Sequence, residues 1–127
     1  MSPNILRDYF DEIEQLLLNC PNTYVEQFNV IILTPERANF RLRVRFELRY
    51  LLAVSEALFV VKDQVSHIDY RYHFQDDQNN LIFRYDSTPH FPNLPSFPQH
   101  KHLPDTVIAC EKPDVAQVLQ EVMKAIE

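Results

Sequence analysis

The chain has no glycine, no tryptophan and only two cysteines. Glycine ordinarily makes up about 7% of a protein. Without it, the backbone that cradles phosphate in P-loops and GxGxxG turns cannot be built, which excludes nucleotide-binding folds of those kinds. Turns must instead use Asn, Asp and Pro, and left-handed backbone is expected at Asn79 or Asn80. Cys20 and Cys110 form no CxxC pair, and no apolar leader follows a basic start. Neither a zinc ribbon nor a secreted disulfide scaffold is indicated, and a cytoplasmic location is expected. No segment approaches the ~20 consecutive apolar residues of a membrane span, so no membrane association is expected.

The 127 residues, 46% of them hydrophobic, suffice for one domain spanning 1–127 with its own core. The formal net charge of -6 argues against whole-surface binding of nucleic acid, but the charge is unevenly placed. Arg7 stands against Asp8, Asp11, Glu12 and Glu14 at the start, and acids also outnumber lysines after residue 105. Between these ends, Arg37, Arg41, Arg43, Arg45 and Arg49 stand against Glu47 alone. Acidic ends flanking a basic middle allow one face to accept a phosphate backbone.

Ile5, Tyr9, Ile13, Leu16 and Leu17 recur at helical spacing after Asn4 and stop before Pro21. Tyr24 to Leu33 is rich in β-branched and aromatic residues, and Thr34-Pro35-Glu36 reads as a turn. Next, Phe40, Leu42, Val44, Phe46 and Leu48 alternate with Arg41, Arg43, Arg45, Glu47 and Arg49, as in a half-buried strand. Leu51 to Val61 is apolar on both sides and reads as a central strand covered on both faces, with Glu56 as a buried partner for an arginine.

Val65 to Gln75 alternates again, with Ile68, Tyr70, Tyr72 and Phe74 inward and His67, Asp69, Arg71 and His73 outward. A turn at Asp77 to Asn80 leads to a partner strand at Leu81 to Asp86. Symmetric closure pairs Phe74 with Phe83, Tyr72 with Tyr85, His73 with Arg84 and Arg71 with Asp86. A slip of one residue would mix the two faces. From Thr88 to Asp105, prolines at 89, 92, 95 and 98 favour extended loop backbone without ladder bonding. A strand at Thr106 to Cys110 and a helix from Pro113 to Ile126 close the chain, with Pro113 in the first helical turn. The expected class is α+β: an antiparallel sheet of five or six strands with N- and C-terminal helices packed on one face.

The chemistry gathers in the second half. His73, His90, His100 and His102, with Lys101, supply groups for acid-base catalysis. One imidazole takes the proton of a ribose 2′-hydroxyl, and a second group protonates or neutralises the leaving oxygen. Arg41, Arg43, Arg45, Arg71 and Arg84 are the candidate phosphate contacts. Three readings remain open on the residues alone. They are cleavage of RNA without metal or other cofactor, a noncatalytic module that binds RNA or protein, and a hydrolase holding metal through His90, His100 and His102. The arginine row also suits an ordinary solvent face of an edge strand.

The strings Val54-Ser55-Glu56-Ala57-Leu58, YRYHFQD from Tyr70 and LIFRYDSTPHFPNLPSFPQHKHL from Leu81 resemble the TumE family of toxins from bacterial toxin-antitoxin pairs. The likeness covers roughly the C-terminal two-thirds. It departs from the family at Asp77-Gln78-Asn79-Asn80, where glycine is commoner. Arg71, His73, Arg84, His90, His100, Lys101 and His102 are the positions that match. The resemblance implies a small cytoplasmic toxin that acts by RNA cleavage and is encoded beside an antitoxin carrying a helix-turn-helix. Self-association stays open.

Overall fold

The computed structural model describes residues 4–88 and 94–127. Helix α1 (Ile5–Leu18) is followed by strands β1 (Thr23–Thr34), β2 (Arg37–Phe46), β3 (Tyr50–Val61), β4 (Gln64–Gln75), β5 (Leu81–Asp86), β6 (His100–Leu103) and β7 (Thr106–Ala109), and by helix α2 (Val115–Ile126). The strands form one antiparallel sheet in sequence order, each paired with its neighbours along the chain. The class is the expected one, with seven strands in place of five or six. The additional strand is β6, which the proline spacing had assigned to loop. Pro98 and Pro104 fall just outside it, so all four of its residues keep an amide for the ladder.

Alternation decides which face meets the helices. Phe40, Leu42, Val44 and Phe46 of β2 point to the same side as Leu52, Val54 and Leu58 of β3, Tyr72 and Phe74 of β4, and Phe83 of β5. Leu6, Phe10, Ile13 and Leu17 of α1 and Val115, Val118, Leu119 and Val122 of α2 complete this core. Burying each such side chain contributes about 1.5–3 kcal/mol, enough to hold both helices to one face. Asn4 caps α1 by accepting the Arg7 amide. Asp114 and Gln117 form a reciprocal capping box for α2, which leaves Pro113 just before the helix and not in its first turn. Among the described residues no helix covers the second face of β3, contrary to expectation. There the small residues Ala53, Ser55 and Ala57 are only half-buried.

The β4–β5 hairpin has the anticipated register: Arg71 with Asp86, Tyr72 with Tyr85, His73 with Arg84 and Phe74 with Phe83. Left-handed backbone occurs at Asn79 as expected, but also at Glu47, Leu48, Lys62 and Asp63. Leu48 is therefore a turn residue, 81% exposed, and not the last inward residue of β2. Left-handed backbone costs a side chain such as leucine about 1–2 kcal/mol. Leu48→Gly removes that strain but gives the unfolded chain more freedom, worth about 0.5–1 kcal/mol. A net gain of about 0.5–1 kcal/mol is expected in urea unfolding, and an unchanged or lower midpoint would show that the turn is not strained.

One β-bulge redirects two side chains. Ala57 pairs with Asp69 and Leu58 with His67, leaving Ile68 between them without a partner on β3. The extra residue inverts the alternation before Tyr70. Ile68, expected inside, is exposed, while His67, expected outside, turns toward the helices. There its Nε2 lies 2.6 Å from Oε2 of the buried Glu56. The hydroxyls of Tyr9 and Tyr72 donate to the same carboxylate at 2.8 and 2.5 Å. Glu56 thus serves two phenols and an imidazole, not the arginine the sequence suggested.

Candidate functional site: a cationic groove

Paired residues of an antiparallel sheet share a face, so the ladder register alone assembles the groove. On the face without helices, one row across the sheet reads Arg41, Ser55, Arg71, Asp86, His100. The next row reads Arg43, Ala53, His73, Arg84, His102. His73 and His102 stand two strands apart, about 10 Å between backbones, with Arg84 between them. The small residues of β3 leave a hollow of about 330 Å³ lined by Arg41, Arg43, Ser55, Arg71, His73 and Arg84. A larger hollow of about 730 Å³ shares Arg41, Ser55 and Arg71 and runs toward Ser87, Phe97 and Pro98.

Asp86 organises one end of the groove. Its Oδ1 lies 2.6 Å from Nε2 of His100 and accepts the Thr88 amide at 3.2 Å. Its Oδ2 lies 3.3 Å from Nε of Arg84 and 3.7 Å from Nε2 of His102. His100 is 1% exposed, and its Nδ1 donates to the Pro98 carbonyl at 3.0 Å. Protein acceptors, Asp86 and the Pro98 carbonyl, face both of its ring nitrogens. His102 packs its ring 4.8 Å from that of His100 and remains partly open to solvent.

The two accessible imidazoles lose protons more readily than usual. Burial, the largest influence, pulls His73 below its ordinary value, and the charges of Arg84 and Arg71 add to this against a hydrogen bond with Gln75. His102 is also lowered, first by burial and then by Arg84, with His100 and Arg71 contributing and Asp86 opposing. Burial and neighbouring positive charge both disfavour the imidazolium.

The arginines divide into bound and available. Glu26 sits within 3.6 Å of Arg43 and 3.3 Å of Arg45. Arg45 belongs to a row further out, opposite Leu51. Among the described residues, neither Arg41 nor Arg71 has an ion pair, so their guanidiniums are open to an anionic ligand. Lys101 lies on the opposite face, with Nζ 2.6 Å from Glu121 of α2 and 4.8 Å from the ring centre of Tyr85. Burial would lower its pKa, but Glu121 and Tyr85 outweigh that effect and raise it. It ties β6 to α2, and the structure does not bring it to the imidazoles. His90 lies outside the described residues.

Asp86, His100 and His102 could offer a metal three ligand atoms within 4.8 Å of one another. The charges already present argue against that use, because Arg84 is paired to the same carboxylate and Arg71 is its cross-strand neighbour. Sequence reasoning treated Asp86 only as the partner of Arg71. Without β6, nothing in the sequence indicated that His100 and His102 flank it.

A meander sheet with helices on one side and an imidazole-guanidinium groove on the other defines the class of the protein, a small α+β module. Within that class, the family model described as toxin TumE matches residues 13–127, and the chain belongs to this family. The match extends well beyond the C-terminal part that carried the resemblance. No curated protein and no solved structure matches the chain. Membership makes it a toxin with an antitoxin as its partner. Among the described residues, no helix is long and apolar enough to cross a membrane.

Proposed function

We propose that this toxin cleaves RNA without a metal ion, using His73 and His102 as the acid-base pair. The observation that carries the reading is the cross-strand row in which Arg84 stands between two accessible imidazoles. His102 takes the proton from a ribose 2′-hydroxyl, and the freed oxygen attacks the adjacent phosphorus. His73, entering as imidazolium, gives its proton to the departing 5′-oxygen, leaving a 2′,3′-cyclic phosphate and a 5′-hydroxyl. Asp86, 3.7 Å from His102, stabilises the imidazolium formed there. Arg84 offsets charge at the pentacoordinate phosphorus, while Arg41 and Arg71 hold neighbouring phosphates. His100 orients Asp86.

A synthetic RNA incubated with the toxin in excess EDTA tests this. Cleavage to cyclic phosphate is expected, and a 2′-deoxy substitution at the cut site should abolish it. Both imidazoles have lowered pKa values, so kcat/KM should peak below the ordinary histidine value of about 6.5 and fall as pH rises through it. Activity that requires added divalent metal would replace this reading with a metal-dependent hydrolase at Asp86, His100 and His102. Binding without cutting under either condition would leave a noncatalytic module.

A further inference from the structure

The two edges of the sheet are unequal. β7 has four residues, whereas β1 has twelve and, among the described residues, nothing paired along its outer side. Edge strands are ordinarily blunted by charge, proline or bulges. β1 has bulges at Glu26 and Leu33, but the six residues between them, Gln27 to Ile32, carry neither charge nor proline. Ile31 and Ile32 are 55% and 57% exposed, with Val30 and Leu33 also open. These side chains lie on both faces. Val30 and Ile32 sit opposite Phe40 and Ala38 on the helix side, and Ile31 sits opposite Asn39 on the groove side. A helix laid on one face would leave the other uncovered, whereas a strand added along the edge flanks both.

The charge pattern selects the occupant. Glu26, the one ionised residue of β1, is already held by Arg43 and Arg45. Antiparallel pairing of two β1 strands about Val30 sets Phe28 against Ile32, Val30 against itself and Asn29 against Ile31, with no charge facing a charge. Such a twofold contact closes after two copies, whereas β1 against β7 would propagate and mismatch twelve residues with four. We propose that β1 is a dimerisation edge through which two copies join into one continuous sheet of twice seven strands.

Light scattering of the purified chain across a dilution series should show a dimer that dissociates reversibly. Ile32→Lys sets an ammonium against Phe28 of the other copy and should weaken the dimer by about 100-fold, with a melting temperature equal to wild type at dilutions where both are monomeric. Val30→Cys meets itself at the twofold, where backbones about 4.5–5.5 Å apart suit a disulfide. Oxidised glutathione, accepting the two electrons, should link this variant but not the wild type through its native cysteines. A wild-type chain that is monomeric at every concentration overturns the proposal, as does a dimer indifferent to Ile32→Lys. If Ile32→Lys unfolds, the cysteine variant decides, and its failure to cross-link has the same meaning. A monomer that takes up an antitoxin segment along β1 would assign the edge to that partner instead.

Discussion

His102→Gln is expected to lower RNA cleavage by about two to four orders of magnitude, the usual loss when a general base is removed. The stability loss should be smaller than at His100, because His102 is less buried and glutamine keeps a polar side chain of similar reach. His73→Gln should act alike. His100→Gln should also lose activity, but with a clear fall in stability, because that ring is fully buried between Asp86 and the Pro98 carbonyl. Lys101→Met is the contrasting variant. It breaks the tie to Glu121 while leaving the groove face intact, so cleavage should stay within a few-fold of wild type. Cleavage rates, urea unfolding and growth arrest on induced expression, measured together, separate these roles. A folded His73→Gln, His102→Gln double variant that still arrests growth would remove the imidazole pair from the mechanism.

Glu56→Ala should cost about 3–5 kcal/mol, because it leaves Tyr9, Tyr72 and His67 around a core position that no longer offers an acceptor. The loss should appear as a lower urea midpoint and, since Tyr9 belongs to α1, as early release of that helix. The carboxylate also predicts a pH dependence. Burial is its largest single influence and raises its pKa, but the hydrogen bond and charge of His67, with the bonds from Tyr72 and Tyr9, carry the net value below the ordinary 4.5. A carboxyl group whose folded pKa is depressed stabilises fully above its unfolded pKa, and that contribution is lost as pH falls through the folded value. The protein should therefore weaken below about pH 4.5, and Glu56→Gln should flatten that decline. An acid limb of equal steepness in the variant would assign the decline to other carboxylates.

The parts of this molecule that were legible in the sequence are those where two patterns agree. The β4–β5 register could be read because aromatic pairs on one side and charged pairs on the other fit a single alignment. The basic row of β2 was equally clear from strict alternation. The bulge at Ile68 could not be read, because one extra residue inverts a period of two and leaves no mark of its own. It hid the contact of His67 with Glu56. β6 was obscured by the prolines around it, and with it went the pairing of His100 with Asp86 and of His102 with Arg84. The sequence therefore held the ingredients of the groove without the strand that closes one end of it, and Lys101 was counted with its neighbours when alternation sends it to the other side.

The strictly sequential strand order also bears on biosynthesis. Each hairpin can close as soon as its second arm leaves the ribosome, because partners are never far apart along the polypeptide. His102, however, comes from β6, and the helix that braces Lys101 follows it in the chain. A nascent chain thus presents the arginines of β2 well before β6 can set His102 beside Arg84.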